Sequence, residues 1–128
     1  MLYFYNMSPA ARQDAVFRAL ASPVRRRILD DLRDTPLTTG ALCARFPELD
    51  RCSVMQHLRV LEAADLIIVE RRGRERWNHL NPLPIHDIHE RWIGPHAARA
   101  VERLAGLKRA LERRPSSADA KARLPERG

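Results

Sequence analysis

The stretch DRCSVMQHLRVLEAA, Asp50 to Ala64, decides how the rest of the chain is read. At 100° per residue, Val54, Leu58 and Leu61 fall within one narrow arc. Cys52, Gln56 and Arg59 lie opposite, with Ser53 and Val60 beside them. The segment is therefore a helix with one buried face and one outward, reading face. Asp50 suits its N-cap, because a carboxylate accepts from the free first-turn amides and sits at the positive end of the helix dipole. Upstream, Thr38 to Phe46 reads as a shorter helix, and Phe46-Pro47-Glu48-Leu49 turns the chain into the longer one. Two helices joined by a tight turn, the second polar on its outer face, form the pattern that docks in a DNA major groove. An ordinary amphipathic helix of an all-α core has the same periodicity, so the segments around it must decide.

Composition narrows the classes. The chain has 128 residues, 45% hydrophobic but only 5% aromatic, so aliphatic side chains must make the core. Its formal net charge is +7, with Arg greatly outnumbering Lys, which points to polyanions and first to nucleic acid. No apolar run approaches the length of a membrane span, and MLYFYNM lacks the basic and apolar regions of a secretion signal. A cytoplasmic protein with no membrane partner is expected. Met7 is an alternative start. The two cysteines, Cys43 and Cys52, are too few for a disulfide framework.

Residues 1–7 read as an N-terminal arm. Ser8-Pro9 opens a first helix running to about Leu20, with Val16, Phe17 and Leu20 inward. Ser22-Pro23 opens a second, to about Leu32, with Val24, Ile28, Leu29 and Leu32 inward. Its first turns carry Arg25, Arg26 and Arg27, either a solvated face or one near a phosphate backbone. Thr38 caps the third helix, and Leu37 is placed to staple onto Leu42. Asp65 ends the long helix. Leu66-Ile67-Ile68-Val69 and Glu75-Arg76-Trp77-Asn78-His79-Leu80 then read as two strands around a turn at Arg71-Arg72-Gly73-Arg74 that needs its glycine. A last helical region runs from about His86 to Leu111, interrupted at Gly94-Pro95. Val101, Leu104, Leu107 and Leu111 form one stripe on it, which needs either the chain's own core or a second subunit. From Arg113 the chain is polar, basic and expected to be disordered.

The fold class expected is mainly α with a small β-hairpin: a winged helix-turn-helix of about five helices and a two-stranded wing. It spans 8–112, between the arm 1–7 and the tail 113–128. A basic wing directly after a reading helix is more specific than either element alone. In FRALASPVRRRILDDL, HLRVLEAADLI and RRGRERWNHLNPLP, in this order and spacing, the chain resembles the ArsR/SmtB-type bacterial transcriptional repressors over roughly residues 12–112. The resemblance implies a homodimeric winged-helix protein that binds operator DNA and in many members releases it to an inducer.

The departures are informative. Metal-sensing members carry Cys-Val-Cys in the helix before the turn, where this chain has Thr38, Thr39 and Gly40. A second family motif begins Asp-x-His, as Asp87-x-His89 does, but its remaining ligands fall at Ala100 and Arg103, which cannot bind zinc. No metal and no cofactor are expected. Asp65 stands for a usual Gly, with a strained cap as the expectation, Met55 for a common Ser, and Asn78 for a frequent wing Tyr.

DNA-binding residues are expected at Ser53, Gln56 and Arg59 as readers, at Arg51 and His57 as backbone contacts, and at Arg72, Arg74 and Arg76 in the wing as phosphate or minor-groove contacts, with a merely solvated tip as the alternative. For His57 a structural hydrogen bond is the competing role. Dimerisation is expected through Val101, Leu104, Leu107 and Leu111. The partners are double-stranded DNA with a palindromic operator, a second copy of the chain, and an inducer of unspecified identity. Cys43 is read as packing. Cys52, in a first helical turn that favours thiolate, is a redox candidate. His86, Asp87, His89, Glu90 and His96 read as solvated polar groups of a first turn, with a metal or acid-base site as the alternative. No nucleophile is paired with a base, so no enzyme is expected. The competing functional class is a winged helix that binds a partner protein and has lost DNA recognition.

Overall fold

The computed structural model describes residues 2–94 and 97–113. These residues fall into two compact units that divide after Ile88, within the stretch 8–112 that the sequence reads as one domain.

The first unit is built by capping signals placed just before apolar periodicities. Ser8 and Ser22 each precede a proline at the first helical position, and their hydroxyls accept from the amides of Ala11 and Arg25. The caps start α2 (Pro9–Leu20) and α3 (Pro23–Leu32). Thr38 accepts from the Ala41 amide and starts α4 (Thr39–Ala44). Asp50 Oδ1 accepts from the Ser53 amide at 2.7 Å and starts α5 (Arg51–Ala63). That bond holds the Asp50 carboxyl below its ordinary pKa. Each such cap is worth about 0.5–2 kcal/mol.

The core gathers Val16 and Ala19 of α2, Ile28, Leu29 and Leu32 of α3, Leu42 of α4, Phe46, and Val54, Leu58 and Leu61 of α5. The buried arc of α5 is thus the one its periodicity predicts. Val24, Leu20 and Leu37 pack against this core only partly buried. Phe17 is a correction: it is 44% exposed. It lies about 100° around the helix from Val16, and Ala19 occupies the inward position instead.

Residues 2–6 differ from the expected arm. Leu2–Asn6 form a short helix, α1, and Phe4 joins the core at 5% exposure.

The wing consists of β2 (Ile67–Arg72) and β3 (Glu75–Leu80), antiparallel with Arg72 opposite Glu75. Gly73, at φ 62°, is the first of the two loop residues, where a tight hairpin turn requires a positive φ. The sheet has three strands rather than two. Leu37–Thr38 form β1, which pairs with β3 in the order β1-β3-β2, Leu37 opposite Asn78 and Thr38 opposite Trp77. A third strand relieves the marginal stability of an isolated hairpin. In all there are seven helices among the described residues, against about five expected.

α6 (Leu83–Trp92) starts three residues before the predicted His86. The side chain of Asn81 is the reason: its Oδ1 accepts from the Leu83 amide at 3.2 Å. In the second unit, α7 (Ala98–Glu112) buries none of its residues. Val101, Leu104, Leu107 and Leu111 are 47–64% exposed. Pro95, His96 and the tail from 114 lie outside the described residues.

Candidate nucleic-acid interface

On α5, Arg51 is exposed in the first turn, in phase with the buried arc, while Gln56 and Arg59, exposed, and Ser53, half-buried, lie on the side away from Val54, Leu58 and Leu61. The periodicity puts them there, and the Asp50 cap fixes where the helix begins. Cys52 is exposed and Cys43 half-buried, both as free thiols.

His57 makes a hydrogen bond within the protein. Its Nδ1 lies 3.2 Å from Nη1 of Arg25, whose Nε donates to the Ala19 carbonyl and whose Nη2 donates to that of Arg18. Arg25 therefore closes the C-terminal end of α2 and touches the reading helix with one side chain. Burial first, and the Arg25 charge second, push the His57 pKa below 6.5. Its neighbours are also engaged: Arg26 donates to the Leu20 carbonyl at 2.7 Å, and Arg27 stacks over Phe46 and pairs with Glu48. The triple-arginine run thus holds helix ends and the turn together.

The wing arginines divide by the two-residue alternation of a strand. Arg72 points to the face carrying Glu70, Trp77 and His79, pairs with Glu70 at 2.9 Å and lies 5.0 Å over the Trp77 ring. Glu70 is held below its ordinary pKa by Arg72 first and His79 second. Arg76 is on the opposite face, 26% exposed, with Nη2 3.8 Å from Glu62 of α5. Arg74, at the tip, is exposed and has no ion-pair partner among the described residues. Arg51, Arg74 and Arg76 line one cleft of about 210 Å³ together with Glu75, Thr38, Thr39 and Gly40. The structure thus brings together three of the eight expected DNA-contacting residues, one from the reading helix and two from the wing. Three guanidinium groups against the single carboxylate of Glu75 leave a net positive potential where an anion can approach both elements at once.

Two residues that hold this arrangement were not in the expected site. Glu62 ties the wing to α5 through Arg76. Asn78, fully buried, donates from Nδ2 to the Leu37 carbonyl and to Thr39 Oγ1, both at 3.2 Å. It stands where a wing Tyr is frequent in the family, and here it links the wing to the first helix of the helix-turn-helix. A buried amide in a strand was the available signal, since such a group needs partners.

Asp65 carries the backbone tension that its place after α5 implies, at φ 60°. The Leu66 amide donates to the Leu61 carbonyl and the Asp65 amide to that of Glu62, a left-handed helix end usually made with glycine.

A helix-turn-helix domain family model matches residues 20–70. The chain is 33% identical over 72 residues to the transcriptional repressor SdpR of Bacillus subtilis, covering 56% of this chain and 79% of that protein. It is 37% identical over 76 residues to the HTH-type transcriptional regulator Rv2034 of Mycobacterium tuberculosis, covering 59% and 70%. The crystal structure of the ArsR family transcriptional regulator RHA00566 superposes with a TM-score of 0.61 at 27% identity, covering 84% of this chain and 97% of that one. The chain belongs to the ArsR family. It is a DNA-binding transcriptional regulator, and the competing reading as a protein-interaction module is not favoured.

In this ArsR-family protein, two of the positions compared with the metal-sensing members' Cys-Val-Cys have other partners. Thr38 and Thr39 are committed to capping α4 and to Asn78. His89 and Glu90 approach each other at 3.6 Å, but among the described residues no three His, Cys, Asp or Glu side chains gather as metal ligands. His96, the last member of that sequence cluster, lies outside the described residues. No helix among the described residues is long and apolar enough to cross a membrane.

Proposed function

We propose that this regulator is a homodimeric repressor that reads a palindromic operator with α5 and grips the flanking backbone with its wing. The observation that carries the proposal is the shared cleft of Arg51, Arg74 and Arg76, which sits between the reading helix and the wing. Ser53, Gln56 and Arg59 face outward from α5 and are assigned to base edges, Arg51, Arg74 and Arg76 to phosphates. Arg72 and His57 are assigned supporting roles, because neither lines that cleft: Arg72 pairs with Glu70 on the other face of the wing and His57 is engaged by Arg25.

Dimerisation is assigned to the α7 stripe, since four exposed aliphatic side chains on one terminal helix favour burial against a second copy. Repression follows the relative SdpR, named as a repressor. Selection of bound sequences from random DNA, followed by footprinting, tests the proposal. It predicts two inverted half-sites about one helical turn, ~34 Å, apart. A single asymmetric site, or no selected sequence, would contradict it.

A further inference from the structure

A cavity between α1, α2 and the start of α6 is lined by none of the residues assigned to DNA contact. Its volume is about 460 Å³, within the range of roughly 300–1,000 Å³ typical of small-molecule sites. Phe4, Val16 and Leu83 give it apolar walls, and Tyr5, Asp65 and Asp87 give it a polar side. The Phe4 and Tyr5 rings meet edge to face at 5.4 Å. Arg12 also lines it, but its Nη1 is used on the carbonyls of Met7 and Tyr5, at 3.0 and 3.4 Å. Two carboxylates thus face one guanidinium already engaged with the backbone. On a chain of net charge +7 this is an acidic recess.

Asp65 connects the recess to the DNA-binding elements. Its side chain is buried at 2% exposure, and the Tyr5 hydroxyl, 60 residues away in sequence, donates to its Oδ2 at 2.6 Å. Its carbonyl accepts from Nδ2 of Asn81, at the end of β3, and the Asn81 amide donates to the Leu66 carbonyl. The same residue therefore terminates the reading helix, anchors the wing and receives α1.

We propose that this cavity is an effector site for a small amphipathic organic cation, whose ammonium group pairs with the Asp65 and Asp87 side and whose apolar body packs on Phe4, Val16 and Leu83. An anion is disfavoured by two carboxylates, and a purely apolar ligand would cover the Asp87 carboxylate without replacing its contact with water. An ammonium group competes with the Tyr5 hydroxyl for Asp65. The ligand thereby binds best to the state in which Tyr5 has released Asp65 at the end of α5, with Phe4 still in place, and shifts the protein toward it. The inference rests on the DNA-binding reading above.

The experiment uses the full chain and three probes of matched shape: tryptamine, the neutral tryptophol and the anionic indoleacetate, each at millimolar concentration. Melting temperature reports occupancy, and anisotropy with a selected DNA reports coupling. Tryptamine alone is expected to raise the melting temperature and to lower DNA affinity by about fivefold or more. Asp87→Asn should abolish both responses while DNA affinity without probe is unchanged. Asp65→Asn, whose side chain tolerates the left-handed backbone, should keep the fold and abolish the melting shift. Equal responses to tryptamine and tryptophol, a response confined to indoleacetate, no melting shift, or a response that survives in Asp87→Asn would overturn the site. A melting shift without any change in DNA affinity would overturn its effector role. Failure of the DNA-binding reading is seen separately, as absent DNA binding before any probe is added.

Discussion

Arg25 of α3 places its Nη1 3.2 Å from Nδ1 of His57 on α5. A guanidinium has no lone pair to accept with and does not lose its proton in proteins, so Nδ1 must be the acceptor and the imidazole neutral, with its proton on Nε2. Burial and the Arg25 charge both lower the His57 pKa from 6.5. Fewer protons are then bound in the folded state than in the unfolded one, and stability rises with pH across this window. The contribution is complete above the unfolded pKa and is lost as pH falls through the folded one. The melting temperature should therefore drop on acidification from about pH 7 to about pH 5. In His57→Gln, which keeps an acceptor for Arg25 but does not titrate, the drop should be smaller. Equal pH dependence in the two proteins would remove His57 from this role.

Asn78 supplies donors to Leu37 and Thr39, and the assignment of its amide is fixed chemically, because the Leu37 carbonyl can only accept. Its Oδ1 is buried without a partner. Asn78→Leu should destabilise by ~1–3 kcal/mol through the orphaned carbonyl and hydroxyl. Asn78→Asp should cost more, because it turns a carboxylate toward that carbonyl in a fully buried place. Urea unfolding of both variants gives the order, and a milder Asp variant would contradict the donor role.

The α7 stripe is assigned to the dimer, so Leu104→Glu should yield a monomer in sedimentation velocity. Burying a leucine is worth roughly 1.5–3 kcal/mol, and a two-fold axis counts each contact twice. A folded Leu104→Glu dimer would place the interface elsewhere.

The parts of this molecule that are legible in sequence are the local ones. Ser8, Ser22, Thr38 and Asp50 mark four helix starts because a cap acts within three residues of itself. The wing turn at Gly73 and the inner arc of α5 are likewise set by neighbours in the chain. What escapes is what depends on distant partners. β1 is only two residues long and has no period, and it exists because Asn78 and Trp77 are there to pair with it. α1 is held by Phe4 in the core and by Tyr5 on Asp65, a contact that no local pattern announces. Among the arginines, sequence shows which are basic and near a tip, but only the strand register separates Arg72, occupied by Glu70 and Trp77, from Arg74 and Arg76 on the cleft.

The central claim is that α5 reads sequence while the wing holds backbone, and salt titrations of two variants on selected and random DNA test it most directly. Arg74→Ala should weaken binding to both DNAs and flatten the salt dependence by about one unit of slope per lost phosphate contact. Gln56, exposed at the middle of α5, suits bidentate pairing with adenine. Gln56→Ala should cost ~1–3 kcal/mol on the selected site and little on random DNA, with the slope almost unchanged. If Gln56→Ala lowers both affinities equally, or neither, α5 is not the reader and the account of its outer face is wrong.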